Sequence, residues 1–158
     1  MLRLFPALLV MLAATTAGAE EWRYEGGETP IAYFDNGAAQ FEFACRGGDL
    51  TLGYFVRSPH RQVSGAASMN LAITPDPARG AQPSFAQDMP LIHSGGSWMV
   101  VRGPVARQWA RIAQRAQAAM AVAFVHKNTK GGFDFYDSNE FSADGSSAAI
   151  GKVLDRCG

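Results

Sequence analysis

The sequence predicts a mainly β domain, a β-rich α+β fold. Its antiparallel sheet forms a sandwich or a barrel-like layer, with one internal helix and a short C-terminal helix. Three observations carry this expectation. Short runs of alternating apolar and polar residues recur along the chain, punctuated by glycine-rich turns. Two other segments repeat their apolar residues at helical spacing. The two cysteines, Cys45 and Cys157, are so far apart that a bond between them would close most of the chain.

The first nineteen residues read as a secretory signal peptide. Arg3 supplies a positive charge, and Leu4–Ala14 is an apolar run broken only by Pro6. Ala17-Gly18-Ala19 gives the small-x-small pattern that signal peptidase reads, before Glu20-Glu21. The run is shorter than the roughly 20 residues a membrane helix needs, and no later stretch is long enough to span. Cleavage leaves 20–158 as a single β-rich domain, expected in the periplasm or secreted. With 14 basic and 14 acidic residues over the whole chain, the loss of Arg3 makes the remainder weakly acidic. That balance argues against a nucleic-acid partner, which draws on concentrated basic charge. An exported chain meets an oxidising compartment, so an intrachain Cys45–Cys157 disulfide is expected, against two free thiols or an intermolecular bridge.

The elements follow in order. Ile31–Phe34 is a strand before an Asp35-Asn36-Gly37 turn. Ala39–Cys45 alternates, with Phe41, Phe43 and Cys45 on one face and Gln40, Glu42 and Ala44 on the other. Leu50–Val56 alternates through Leu50, Leu52, Tyr54 and Val56, and Arg46-Gly47-Gly48-Asp49 joins the two as a hairpin turn. Met69, Leu71 and Ile73 mark a further strand. Pro75–Pro90 holds four prolines and predicts a loop, or an irregular connection with one edge strand near Ser84–Phe85. Trp98–Arg102 and Met120–His126 are β-rich runs. Phe133–Phe141 is a strand in which Phe133, Phe135 and Phe141 share one face. A helix is expected over Pro104–Ala119, with Val105, Trp109, Ile112 and Ala116 as its stripe and Pro104 at its first position. A second is expected over Ser146–Cys157, with Ile150, Val153, Leu154 and Cys157 buried, Asp144 or Ser146 as cap, and Lys152 and Arg156 opposing the dipole.

Catalytic signatures are scarce. The sequence contains no HExxH, P-loop, GxSxG or CxxC motif. His60, His93 and His126 lack the close spacing of metal ligands. His93 and Ser97 could form a base and nucleophile, but the Gly/Ser stretch between them reads better as a turn. Asp134, Asp137, Asn139, Glu140 and Asp144 are the best calcium candidates. They lack the spaced calcium-loop pattern and fit a strand with a polar face. Arg57-Ser58-Pro59-His60-Arg61 is a basic segment that could meet an anionic partner, and it reads more simply as a solvated turn. Arg107, Arg111 and Arg115 repeat every four residues as a solvated helix face, with Arg102 just upstream. Trp22 and Tyr24 are expected to cover a core edge. No catalytic, cofactor or metal residues are assigned.

The segment "SWMVVRGPVARQWARIAQRAQAAMAVAF" leads into "FDFYDSNEFSADGSSAAIGKVLDRCG". This stretch, Gly96–Gly158, resembles small exported proteobacterial proteins, and "FEFACRGGDLTLGY" echoes it upstream. The chain is similar to the invasion-associated locus B proteins and to the VasI-type accessory proteins of type VI secretion. The resemblance implies export and a β-rich body with a short C-terminal helix, and it supplies no catalytic residues. The expected function is a periplasmic, non-enzymatic binding or accessory module for a periplasmic protein or cell-envelope component. The alternatives are an inhibitor of a cell-wall lytic enzyme and a small hydrolase with dispersed residues such as His93 and Ser97.

Overall fold

The computed structural model describes residues 21–157, so the signal-peptide reading of Met1–Ala19 lies outside the described residues. The chain runs through strands β1 (Arg23–Glu25), β2 (Ile31–Asp35), β3 (Ala39–Arg46) and β4 (Asp49–Val56), then a short helix α1 (Arg61–Ser64). Strand β5 (Ser68–Pro75) and a 3₁₀ turn at Pro77–Arg79 precede β6 (Ser84–His93) and β7 (Ser97–Arg102). Helix α2 (Pro104–Arg115), strands β8 (Ala119–Lys127) and β9 (Phe133–Ser142), and helix α3 (Ser146–Leu154) complete it. The nine strands form one antiparallel sheet in the order β1-β2-β3-β4-β7-β6-β5-β8-β9, curled into a half-barrel. The barrel-like form of the expected sheet is therefore the one adopted.

The β3–β4 hairpin forms as its alternation predicts. Gly47 (φ 61°) and Gly48 (φ 89°) make a two-residue turn whose left-handed backbone matches strand twist, and Arg46 pairs with Asp49. Phe41, Phe43, Leu50, Leu52 and Tyr54 point into the curl. There they meet Trp22, Phe34, Phe124 and Phe141. The Trp22 ring lies 5.6 Å from Phe41, and Phe141 lies 5.6 Å from both Phe34 and Phe41. Truncating Phe141 to alanine in such a core costs about 3–5 kcal/mol. Trp22 also ties the two ends of the sheet together. Its indole N–H donates to the Ser142 carbonyl at 2.9 Å and its amide to Asp144 at 3.1 Å. Asn36 donates to Asn139 Oδ1 at 3.2 Å alongside. These bonds occupy edge groups that an open strand would leave free. Trp22 thus fills the core role expected of it, and Tyr24 lies half-buried under Lys152, 5.2 Å from its ring.

Three expectations need correction. Residues 84–93 form strand β6 inside the sheet, where a proline-rich loop with a short edge strand was expected. The prolines sit where they do least harm: Pro75 ends β5, Pro83 precedes β6, and Pro90 lies where β6 changes partner. Residues 84–90 pair with β5 and residues 91–93 with β7. Leu91 donates to Ala67 on the β5 side. By strand alternation the Pro90 nitrogen faces β7, where it cannot donate, and the β6–β7 ladder stops at Leu91↔Met99. A bulge at Asp88 (φ 51°) bends the strand, its amide held by Asn70 Oδ1 at 2.9 Å.

The second correction concerns β9. Phe133 and Phe135 face outward while Phe141 faces the core. The register shifts between Val122 and Phe124, opposite Asp137 (φ 50°), and that bulge inverts the phase of the alternation.

The third concerns the helices. Helix α2 ends at Arg115, not Ala119, because the Asp76 carboxylate captures the amides of Gln117, Ala118 and Ala119. Its buried stripe is Ala106, Trp109, Ala110 and Ala113, with Val105, Ile112 and Ala116 flanking it half-buried. Helix α3 ends at Leu154, so Cys157 reaches the core from the turn beyond it. Gly145 occupies the N-cap position without a side-chain bond. Ser146 instead donates to the Ala113 carbonyl at 3.1 Å, locking α3 to α2. Cys45 and Cys157 are joined by a disulfide with Cα atoms 5.4 Å apart, and Arg107 donates to the Cys157 carbonyl at 3.0 Å. The last turn is thereby anchored to β3 and α2. Among the described residues no helix is long and apolar enough to cross a membrane.

Candidate functional site

Most of the polar residues singled out by the sequence are engaged within the fold. His93 does meet Ser97: Nδ1 lies 2.9 Å from the Ser97 hydroxyl, and Nε2 lies 2.8 Å from the Ala66 carbonyl. The carbonyl can only accept, so Nε2 carries the proton and the hydroxyl donates to Nδ1. Ser97 Oγ belongs to a residue with 0 % exposure. The pair therefore locks the β6–β7 hairpin to the loop before β5, with the hydroxyl closed to solvent.

His60 stacks on Tyr136 at 5.1 Å, and its Nδ1 accepts the Gln62 amide at the start of α1. His126 lines a small hollow with Arg61, Met69 and Tyr136. Two of the three histidines thus flank one tyrosine, while His93 serves the hairpin.

Three members of the acidic segment are spent on structure, while Glu140 and Asp144 are exposed. Asp137 accepts the His60 amide at 2.8 Å, Asp134 accepts from Asn128 at 3.1 Å, and Asn139 donates to the Tyr54 hydroxyl at 2.9 Å. Among the described residues no three His, Cys, Asp or Glu side chains come together as a cation cage. Burial pushes the Tyr54 phenol far above its usual range, and the Asn139 bond only partly offsets this. The basic segment is likewise committed. Arg57 pairs with Asp35 and lies over the Phe55 ring, 5.8 Å from its centroid. Partial burial raises the Asp35 pKa, but hydrogen bonds from Arg57 and the Gly37 amide outweigh it, and the net shift is downward. On α2, Arg107, Arg111 and Arg115 form an exposed face, with Arg111 donating to Gln114 at 3.0 Å.

The outer, convex face of the sheet is where unsatisfied surface gathers. Ile92 is 56 % exposed, Phe135 49 % and Phe133 42 %, and these are the exposed large apolar side chains among the described residues. All three point outward. Phe85 on β6 and Phe133 on β9 belong to strands separated in the sheet by β5 and β8. Their rings nevertheless stack at 4.7 Å. They lean over β5 and β8, which explains why the outward-facing Ala72, Ala123 and Val125 are buried. Lys127, Asn70 and Gln87 border this aromatic cover.

A second region crosses β3, β4, β7 and β6. It is a groove of about 420 Å³, lined by Ile92, Trp98 and Val100 on one side and by Glu42 and Arg46 on the other, with Arg102 at one end. Cross-strand register builds it: Glu42 lies opposite Gly53, Gly53 opposite Val100, and Trp98 between Phe55 and Ile92. Gly53 is required there. A Cβ at that position would sit 2.8 Å from Glu42 Cγ, so the glutamate side chain lies over β4 in the space the glycine leaves. The carboxylate is buried, 6 % exposed, and both oxygens are taken: Oε1 by Arg46 at 3.2 Å and Oε2 by Gln40 at 2.8 Å. Trp98 is braced by Phe55, the rings 4.6 Å apart and nearly parallel. Arg102 has no side-chain hydrogen bond or ion pair among the described residues.

Sequence reasoning missed both regions. Phe133 and Phe135 were visible as an alternating pair but placed on the wrong face. The groove draws single residues from four strands, and only the register brings them together. Comparison with protein-family models, with curated proteins and with solved structures finds no match to this chain.

Proposed function

We propose that the chain is an exported, non-enzymatic binding or accessory module of the periplasm that meets its partner on the convex face of the sheet. One observation carries this reading: Ile92, Phe133 and Phe135 all project from that face. Phe133 and Phe135 gather with Phe85 into one exposed aromatic cluster, and exposed apolar clusters of this kind mark interaction sites. The concave side has no comparable offer, because Trp22, Phe34, Phe41, Phe43, Tyr54, Phe124 and Phe141 fill it. The buried Ser97 hydroxyl weighs against the hydrolase reading. The resemblance to exported accessory families agrees with the compartment proposed, and the signal-peptide pattern at Met1–Ala19 supports it.

The test is quantitative capture from a cell-envelope extract, comparing wild type with Phe133→Ser/Phe135→Ser and with Arg115→Ser on the α2 face. The reading expects the same partner to be recovered by wild type and Arg115→Ser and lost by the double variant. Equal recovery by all three would contradict it.

A further inference from the structure

We propose that the groove across β3, β4, β7 and β6 binds a small apolar monocarboxylate. Its carboxylate would sit on the guanidinium groups of Arg102 and Arg46, and its apolar body on Trp98 and Ile92. This rests on the outer-face reading and narrows it to one ligand class.

Charge complementarity selects the anion. The groove holds one acidic side chain, Glu42, and two basic ones, Arg46 and Arg102, leaving a surplus of one positive charge. Glu42 does not compete for the ligand's place, since Arg46 and Gln40 already occupy its two oxygens. The surplus resides on Arg102. Its planar fork of N–H donors is unpaired among the described residues and suits a carboxylate held by two parallel bonds. Arg46 is tied to Glu42 through one Nη only, so it keeps further donors for the same anion. A group with one negative charge balances the surplus, and a dianion would overfill it.

The apolar half follows from the other wall. Trp98 offers a ring face fixed from one side by Phe55, so little side-chain freedom is lost when a ligand covers it. Ile92, 56 % exposed, and the half-buried Val100 continue that surface toward β6. Thr51 is not a competing polar anchor, because its hydroxyl donates to the Ala44 carbonyl at 3.2 Å. A volume of about 420 Å³ lies within the range of small-molecule sites.

The experiment is an NMR titration of the purified, disulfide-intact mature protein at low salt, following the Trp98 indole N–H. The probes are 4-phenylbutyrate, its neutral amide and 4-phenylbutylamine. The variants are Arg102→Gln and, as a control on the α2 face, Arg115→Gln. The carboxylate should give a saturable shift at Trp98. The amide should bind about fivefold to tenfold more weakly, as expected for loss of a charge-assisted contact at an exposed site, and the amine should not saturate. Arg102→Gln should lower carboxylate affinity to the amide's level while leaving the amide unchanged, and Arg115→Gln should change neither. Raising the ionic strength should weaken the carboxylate alone. No saturable shift at Trp98, equal affinity for acid and amide, or an unaltered carboxylate affinity in Arg102→Gln would each overturn the proposal. Envelope capture through Phe133 and Phe135 is read independently, so this ligand can fail while the outer-face reading stands.

Discussion

Replacing both cysteines, as Cys45→Ala with Cys157→Ala, removes a crosslink between residues 112 apart in sequence. In the chain-entropy treatment a loop of that size restricts the unfolded chain by about 16 cal/mol/K, or about 4.8 kcal/mol at 25 °C. Both cysteines are buried, at 5 % and 0 % exposure, so the vacated sulfur volume adds about 1 kcal/mol. With an unfolding entropy near 2.1 cal/mol/K per residue over roughly 140 residues, the crosslink alone corresponds to about 16 °C in Tm. Urea unfolding of the oxidised wild type and the double variant measures the difference. The variant should also show the larger dependence on urea, because its unfolded chain is less compact. Helix α3 and the turn carrying Cys157 should lose amide-exchange protection first, since the bond anchors that turn to β3. A stability difference below about 1 kcal/mol would refute the reasoning that the bond restrains the whole chain. Two thiols alkylated in unreduced, denatured wild type would refute the bond itself.

Three further outcomes follow from particular contacts. Asp76 is held below its usual pKa by the Ala118 and Gln117 amides. A depressed folded-state pKa contributes stability above the unfolded value and loses it as pH falls through the folded one. Asp76→Ala should therefore be less stable than wild type at pH 7, with the gap closing below about pH 4; a gap constant from pH 7 to pH 2 would contradict this. Tyr54→Phe removes a hydroxyl that donates to the Asp137 carbonyl at 2.5 Å and accepts from Asn139 at 2.9 Å. Denaturant unfolding should show a loss of about 1–2 kcal/mol, and no loss would mean the buried hydroxyl contributes nothing net. Intact mass of protein from the periplasmic fraction should correspond to a chain beginning at Glu20, and recovery only of the full-length chain from the cytoplasm would contradict export.

The legible parts of the fold are those set by local chemistry. Ala39–Arg46 and Asp49–Val56 alternate cleanly around Gly47-Gly48, so both strands and their register could be read directly. The disulfide could be read because two cysteines leave one intrachain pairing. The errors arise where a distant segment decides. Prolines at 83 and 90 looked like strand breakers, yet one precedes β6 and the other sits at its change of partner. Alanine-rich sequence after Arg115 favours more helix, but Asp76, more than forty residues upstream of Gln117 and Ala118, captures their amides. The Asp137 bulge turned Phe133 and Phe135 outward against a simple period of two. The groove was invisible for the same reason. Glu42, Gly53, Trp98 and Arg102 each look like an ordinary outward-facing strand position until the register aligns them.

The convex-face account is tested most directly by photocrosslinking in the living cell envelope. Phe135→p-benzoylphenylalanine and Ile92→p-benzoylphenylalanine place the reactive ketone on the outer face, and Arg115→p-benzoylphenylalanine places it on α2. The account predicts a discrete adduct of one mass from the two outer-face positions and none from position 115. Adducts from α2 alone, or none from either outer-face position while each variant folds and is exported, would contradict it.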